Sequence, residues 1–135
     1  MPSPSPASPA LPALAGSALA GSALAGSALD APHRLQALEA TGLLRSAEDE
    51  VLDRLADVVR RVLRTPIALV SLVRADAQHF AGCAATLPAP YDAMRGTPLS
   101  HSFCRHVVES GRPLVVDDAR EHPLVRDNPA IGALG

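Results

Sequence analysis

The stretch that decides the fold is Leu99 to Asp118, LSHSFCRHVVESGRPLVVDD. Ser100 is a good helix N-cap, because its hydroxyl can take one of the orphan N–H groups of a first turn, and Gly111 can stop that helix in a left-handed conformation. The spacing therefore predicts a helix from His101 to Ser110. His101, Cys104 and Val108 share one of its faces, and Phe103, His106, Val107 and Ser110 share another. Pro113 to Asp117 then reads as a buried strand. Cys104 lies between two histidines, an arrangement that invites metal or thiol chemistry. Asp117 and Asp118 look like paired carboxylates, but at a strand end beside Arg120 they read as caps of the following turn.

Working outward, Ile67 to Val73, IALVSLV, is a continuous apolar run between Pro66 and Arg74-Ala75-Asp76-Ala77, and reads as a strand covered on both faces. Gln78 to Ala84 returns as its hairpin partner. Strict alternation puts His79, Ala81 and Cys83 on one face and Gln78, Phe80 and Gly82 on the other. Ala85 to Pro98 is read as a proline-punctuated loop long enough to be a lid. Upstream, Val51, Leu52, Leu55, Val58, Val59, Val62 and Leu63 follow the helical period, with Ser46 and Asp49 as a capping-box variant. Glu48, Asp49 and Glu50 at its start and Arg60, Arg61 and Arg64 at its end complement the helix dipole. A short helix precedes it, entered through Asp30 and Pro32 and ended by Gly42. The tail of the chain, HPLVRDNPAIGALG, reads as irregular turns.

The chain has 135 residues, 47% of them hydrophobic, but only 2% aromatic: Phe80, Tyr91 and Phe103. Its core must therefore be built from Leu, Val and Ile. Every one of the 12 basic residues is arginine, scattered rather than clustered, and the net charge of -2 argues against a nucleic-acid partner. Residues 1–30 are Pro/Ala/Ser-rich and contain the repeat ALAGS. A five-residue period advances about 140° per copy on a helix and alternates faces on a strand, so Leu14, Leu19, Leu24 and Leu29 form no stripe. They are expected to be a disordered low-complexity tail, leaving 31–135 as the domain. With no signal-peptide pattern, no run of the roughly 18 apolar residues a membrane span needs, and two unpaired-looking cysteines, the chain is expected to be cytoplasmic, off the membrane.

The order of helix, ALVSLV strand, Q-x-F strand, loop, and then L-S-x-S-F-C-x-H followed by P-L-V-V-x-D-A-R and D-N-P resembles the GAF domain, in the subgroup found with histidine kinases, diguanylate cyclases and metal-dependent Ser/Thr phosphatases. The resemblance runs from about His33 to the C-terminus. It implies an α+β fold, an antiparallel sheet of order 2-1-5-4-3-6 with helices on one side and a ligand pocket on the other. On that plan the chain ends where the fourth strand would begin. The expectation is then a C-terminally incomplete domain whose first strand keeps an open edge and whose independent stability is low.

The implied function is a regulatory small-molecule-sensing module with no catalysis of its own, no cofactor, an unknown small molecule as ligand, and a homodimer through the N-terminal helices. The alternatives are a fragment of a sensor kinase or Ser/Thr phosphatase whose catalytic domain is missing, and a thiol redox enzyme like the GAF-like methionine sulfoxide reductases. The pocket candidates are Phe80, Ser102, Phe103, Cys104, His106 and Asp117. A metal at Cys104, His101 and His106 would need a further donor, with Cys83 and His79 the candidates by topology. A covalent tetrapyrrole would expect histidine directly after the cysteine, where Arg105 stands. A thiol mechanism would use Cys104, its acidity raised by the helix N-terminus, with Cys83 to resolve it. Arg105 and His106 could line an anion pocket, but the motifs of cyclic-nucleotide GAF domains are not present in this chain.

Overall fold

The computed structural model describes residues 26–45 and 49–134. Most of the low-complexity tail and the capping-box residue Ser46 lie outside them. Packing starts before the boundary drawn at residue 30: a single 3-10 turn, Ala28–Asp30, carries Leu29, which is only 4% exposed. The short helix α1, Pro32–Ala40, buries no residue of its own. It is held by Arg34, whose guanidinium donates to the carbonyls of Ala28 at 2.9 Å, of Val73 at 2.7 Å, and of Leu29. Gly42 ends the region at φ 73°, the left-handed conformation expected of it.

Helix α2, Glu50–Leu63, begins where Asp49 accepts hydrogen bonds from the N–H groups of Val51 and Leu52 at 3.0 and 3.1 Å, and ends in a left-handed Arg64. Ala56 is its one buried residue, and Val51, Leu55, Val58 and Val62 are exposed. The apolar arc of this helix is thus wider than the surface the sheet offers it.

Strands β1 (Ala68–Val73), β2 (Ala77–Ala84) and β3 (Gly96–Pro98) form an antiparallel sheet in the order β1-β2-β3, an α+β arrangement with helices against the sheet. The third strand is not the one expected. Pro113 to Asp117 makes no strand ladder among the described residues, and Val115 there is 80% exposed. A strand exists only by pairing, and no described strand pairs with it. Gly96–Pro98, read from sequence as loop, pairs instead with Ala77–His79. Gly96 is required there, since a Cβ would sit 2.5 Å from the carbonyl oxygen of Gln78.

A bulge in β2 corrects the strict alternation. Ser71 pairs with Phe80 and Val70 with Gly82, so Ala81 is an extra residue with no partner. Downstream of it the faces exchange. Cys83, opposite Leu69, joins Phe80 and Gln78, while Gly82 turns toward α2, where the backbone of Leu52 touches it.

The helix expected from His101 also starts late. Leu99–His101 is a 3-10 turn, Ser102 is extended at ψ 122°, and α4 runs over Cys104–Ser110. Ser100 therefore does not cap it; its hydroxyl faces His101 Nδ1 at 3.0 Å. Ser102 takes the capping role, its Oγ accepting from the N–H of Arg105 at 3.2 Å. Gly111 stops the helix at φ 63°. Two more short helices are α3 (Tyr91–Met94), in the lid loop, and α5 (Ala130–Leu134), which closes a tail that is otherwise the irregular turns expected of it, with Asn128 accepting from the N–H of Ala130 at 2.8 Å.

Candidate functional site: an aromatic-walled pocket on the sheet

The face of the sheet turned away from α2 carries a cavity of about 190 Å³. Strands β1 and β2 supply its floor through Leu69, Ser71, Gln78 and Phe80, the lid loop supplies Leu87 and Tyr91, and the 3-10 turn and start of α4 supply His101, Phe103 and Cys104. All three aromatic side chains of the chain therefore line one cavity. Phe80, Leu87 and Tyr91 are also the centre of the core, with Cys83 and Ala85 packed on them. The Tyr91 and His101 rings lie 6.4 Å apart at 49°.

Beneath the wall runs a buried polar chain. Gln78 Nε2 donates to Thr97 Oγ1 at 2.8 Å, and Gln78 Oε1 accepts from Ser102 Oγ at 2.6 Å. Ser102 is fully buried, so this chain satisfies groups that would otherwise cost about 1–3 kcal/mol each. It also welds β2, β3 and the start of α4 into one unit. One hydroxyl is left over. Ser71 Oγ is shielded from solvent and has no hydrogen-bond partner.

Of the six residues singled out from sequence, Phe80, Phe103 and Cys104 are brought together in the cavity wall. Ser102 lies behind it as a support. His106 is turned to a different hollow, beside Glu109 at 3.7 Å, and Asp117 lines a third, with Ala130 and Ile131. Sequence reasoning missed Ser71, Leu87, Tyr91 and Thr97. The lid residues carry no periodic signal, but the accumulation of scarce aromatics was a usable one.

The lid is fastened to α2 by Arg95, which follows α3 in a left-handed conformation at φ 44°. Its Nη2 lies 2.8 Å from Asp53 Oδ1, its Nε donates to the carbonyl of Phe80 at 3.1 Å, and its own carbonyl accepts from the Phe80 N–H at 2.7 Å. Asp53 Oδ1 also accepts from the Cys83 N–H at 2.8 Å, bracing the bulge. The arginine hydrogen bond is the main reason the Asp53 carboxyl stays ionised below the ordinary carboxylate range, with burial opposing it and the Cys83 amide assisting. An unfolded chain takes up that proton near pH 4, so the clamp contributes fully above that value and is lost as pH falls through the lower folded pKa. Acid titration of stability should therefore be shallower for Asp53→Asn than for the wild type below pH 4, with little difference in slope above pH 5. Arg95→Ala should cost about 2 kcal/mol and raise hydrogen exchange in the lid and at Cys83 together.

Asp118 is held to about 2 by the Arg120 side chain and backbone N–H, at 2.6 to 3.0 Å. The pair is solvent-exposed and closes a turn, the capping role read for it from sequence. Among the described residues, no group of three or more His, Cys, Asp or Glu is placed to hold a metal ion, and no helix is long and apolar enough to cross a membrane.

An antiparallel sheet with a helix against one face and a lidded hollow on the other defines an α+β pocket domain. The family model of the GAF domain matches residues 47–134, and the chain belongs to that family. It is also similar to Cyclic di-GMP phosphodiesterase PA2567 of Pseudomonas aeruginosa, with 31% identity over 100 residues. The match takes in 73% of this chain and 16% of that protein's length.

Proposed function

We propose that the chain is the small-molecule-sensing module of a bacterial signalling protein and has no catalysis of its own. The observation that carries this reading is the lidded cavity whose cover is tied, through Arg95 and Asp53, to the helix on the opposite face of the sheet. A ligand that closes the lid would change the same contacts that position α2, which is what a regulatory module needs to pass a signal on. The activity regulated would be a kinase, phosphatase or phosphodiesterase output, the last by analogy with the similar phosphodiesterase.

The test is a thermal-shift screen of the full chain against small metabolites. A ligand at 100 times its Kd stabilises the folded state by about 2.7 kcal/mol, a shift of several degrees in a domain this small. The same preparation should not hydrolyse cyclic di-GMP or reduce methionine sulfoxide. Turnover of either substrate that Cys104→Ser or another single substitution abolishes would replace this reading with an enzymatic one.

Self-association through α2 is part of the proposal. Val51, Leu55, Val58 and Val62 recur at spacings of 4, 3 and 4, the pattern of a coiled-coil seam, and all four are exposed. An antiparallel register opposes Val51 to Val62 and Leu55 to Val58, apolar against apolar over the whole seam, and this two-fold self-complementarity favours another copy of this chain as the occupant. Sedimentation equilibrium should show a dimer that Val58→Asp converts to monomer with secondary structure intact. A wild-type monomer at 100 μM protein, a concentration chosen for the test, would end the proposal.

A further inference from the structure

We infer that the cavity takes a neutral ligand of one aromatic ring bearing a single hydrogen-bonding substituent, and that Ser71 Oγ is the group that recognises the substituent. This rests on the sensing role proposed above and names the class of ligand.

Size sets the first limit. A cavity of about 190 Å³ is close to the 150 Å³ apolar cavity known to accept benzene, and it leaves no room for a nucleotide. Charge sets the second. No Asp, Glu or Arg lines the cavity and the chain has no lysine; His101, whose Nδ1 faces the Ser100 hydroxyl at 3.0 Å, is the one basic side chain in the wall, so a phosphate or carboxylate would be stripped of water with no permanent positive charge to meet it. Shape and surface set the third. A chain with only three aromatic side chains places Phe80, Tyr91 and Phe103 together here, and rings pack edge-to-face or offset on other rings with about 0.5–1.5 kcal/mol beyond area burial.

Polar accounting supplies the substituent. The Gln78 amide is used on both sides, by Thr97 and by Ser102. Ser71 lines the floor of the cavity, and its Oγ is shielded from water and unpaired, one χ1 rotation from a bound ligand. A buried hydroxyl without a partner is a cost the fold retains, and a ligand hydroxyl or carbonyl would remove it. Ser71 can donate or accept, so it selects for a polar substituent in general.

The test uses phenol and benzene as probes on the full chain, read by calorimetry and by backbone amide and methyl NMR shifts. Both should bind saturably at one site per chain, phenol more tightly, with shifts centred on Ser71, Phe80, Leu87 and Tyr91. Ser71→Ala removes an unsatisfied hydroxyl and should fold normally. It should weaken phenol by about 3- to 10-fold and leave benzene unchanged. Leu69→Trp, which adds bulk at the partly exposed end of the floor, should exclude both. Binding of neither probe, or a phenol affinity indifferent to Ser71→Ala, overturns the inference. Saturable binding of cyclic di-GMP with shifts outside this cavity would overturn it too, while leaving a sensing role intact.

Discussion

Substituting Gly82 with alanine should detach helix α2 from the sheet. A Cβ at this position would lie 2.5 Å from the Leu52 carbonyl oxygen, 2.7 Å from its carbonyl carbon and 2.9 Å from its Cβ. Two of these atoms are backbone, so no rotamer change relieves the overlap and the helix must move as a body. Overpacking of this kind costs about 1–3 kcal/mol even in forgiving sites, and a domain of this size has a total stability of only about 5–15 kcal/mol. The shift would also pull Asp53 away from Arg95 and the Cys83 amide, so the mechanical and electrostatic losses should add. The measurement is urea denaturation followed by far-UV circular dichroism, with Gly111→Ala as the comparison. Gly111 has nothing within 4 Å of its would-be Cβ, and its cost should come from φ 63° alone. If Gly82→Ala proves no worse than Gly111→Ala, the close approach of α2 to the bulge is wrong.

The second large effect is expected at Phe80. It is 4% exposed and is the residue that core and cavity share, packed with Leu87 and Tyr91. Truncation to alanine loses the transfer energy of the ring and leaves a void that these neighbours cannot fill, a loss of about 3–5 kcal/mol. In a chain with so few aromatics no second ring can slide in without dismantling the wall. The expected result is loss of a cooperative thermal transition at 37 °C, with the far-UV signal of α2 partly retained. Phe80→Leu keeps most of the volume and should recover more than half of the lost stability. A Phe80→Ala protein as stable as the wild type would mean that the lid and strand β2 are not packed against each other.

Local signals carried the reading where one segment's own chemistry decides its conformation. Gly42 and Gly111 stop helices because a residue without a Cβ enters the left-handed region freely, and both do so at positive φ. The periodicity of Val51 to Leu63 specified α2, and the apolar run from Ile67 specified β1, because each repeats a single geometric rule. Asp118 could be read as a turn cap since its partners, the backbone and side chain of Arg120, are two residues away. The order of helix, strands and loop with the motifs from Leu99 to Pro129 resembles the GAF family, and the match at residues 47–134 bears this out.

The errors share a cause as well. Ser100 and Ser102 are equally good caps on paper; Ser102 was chosen because Gln78, 24 positions earlier, holds it in the buried chain. The bulge at Ala81 is invisible in QHFAGCA, since the groups that hold it, Asp53 on the Cys83 amide and Arg95 on the Phe80 backbone, stand on other elements. Pro113 to Asp117 has strand propensity, yet strand structure is a property of pairs and not of segments.

By itself the sequence determined the class of this protein: where α2 and the first hairpin lie, where helices end, and which family they belong to, all settled by interactions within a few residues. Only the tertiary structure shaped the candidate site. It put Cys83 on the face of Phe80, moved His106 and Asp117 away from the pocket, gathered Tyr91 and Leu87 into it and left Ser71 without a partner. Those outcomes depend on which backbone amide is already satisfied by a distant side chain, and that is fixed only when the chain closes on itself.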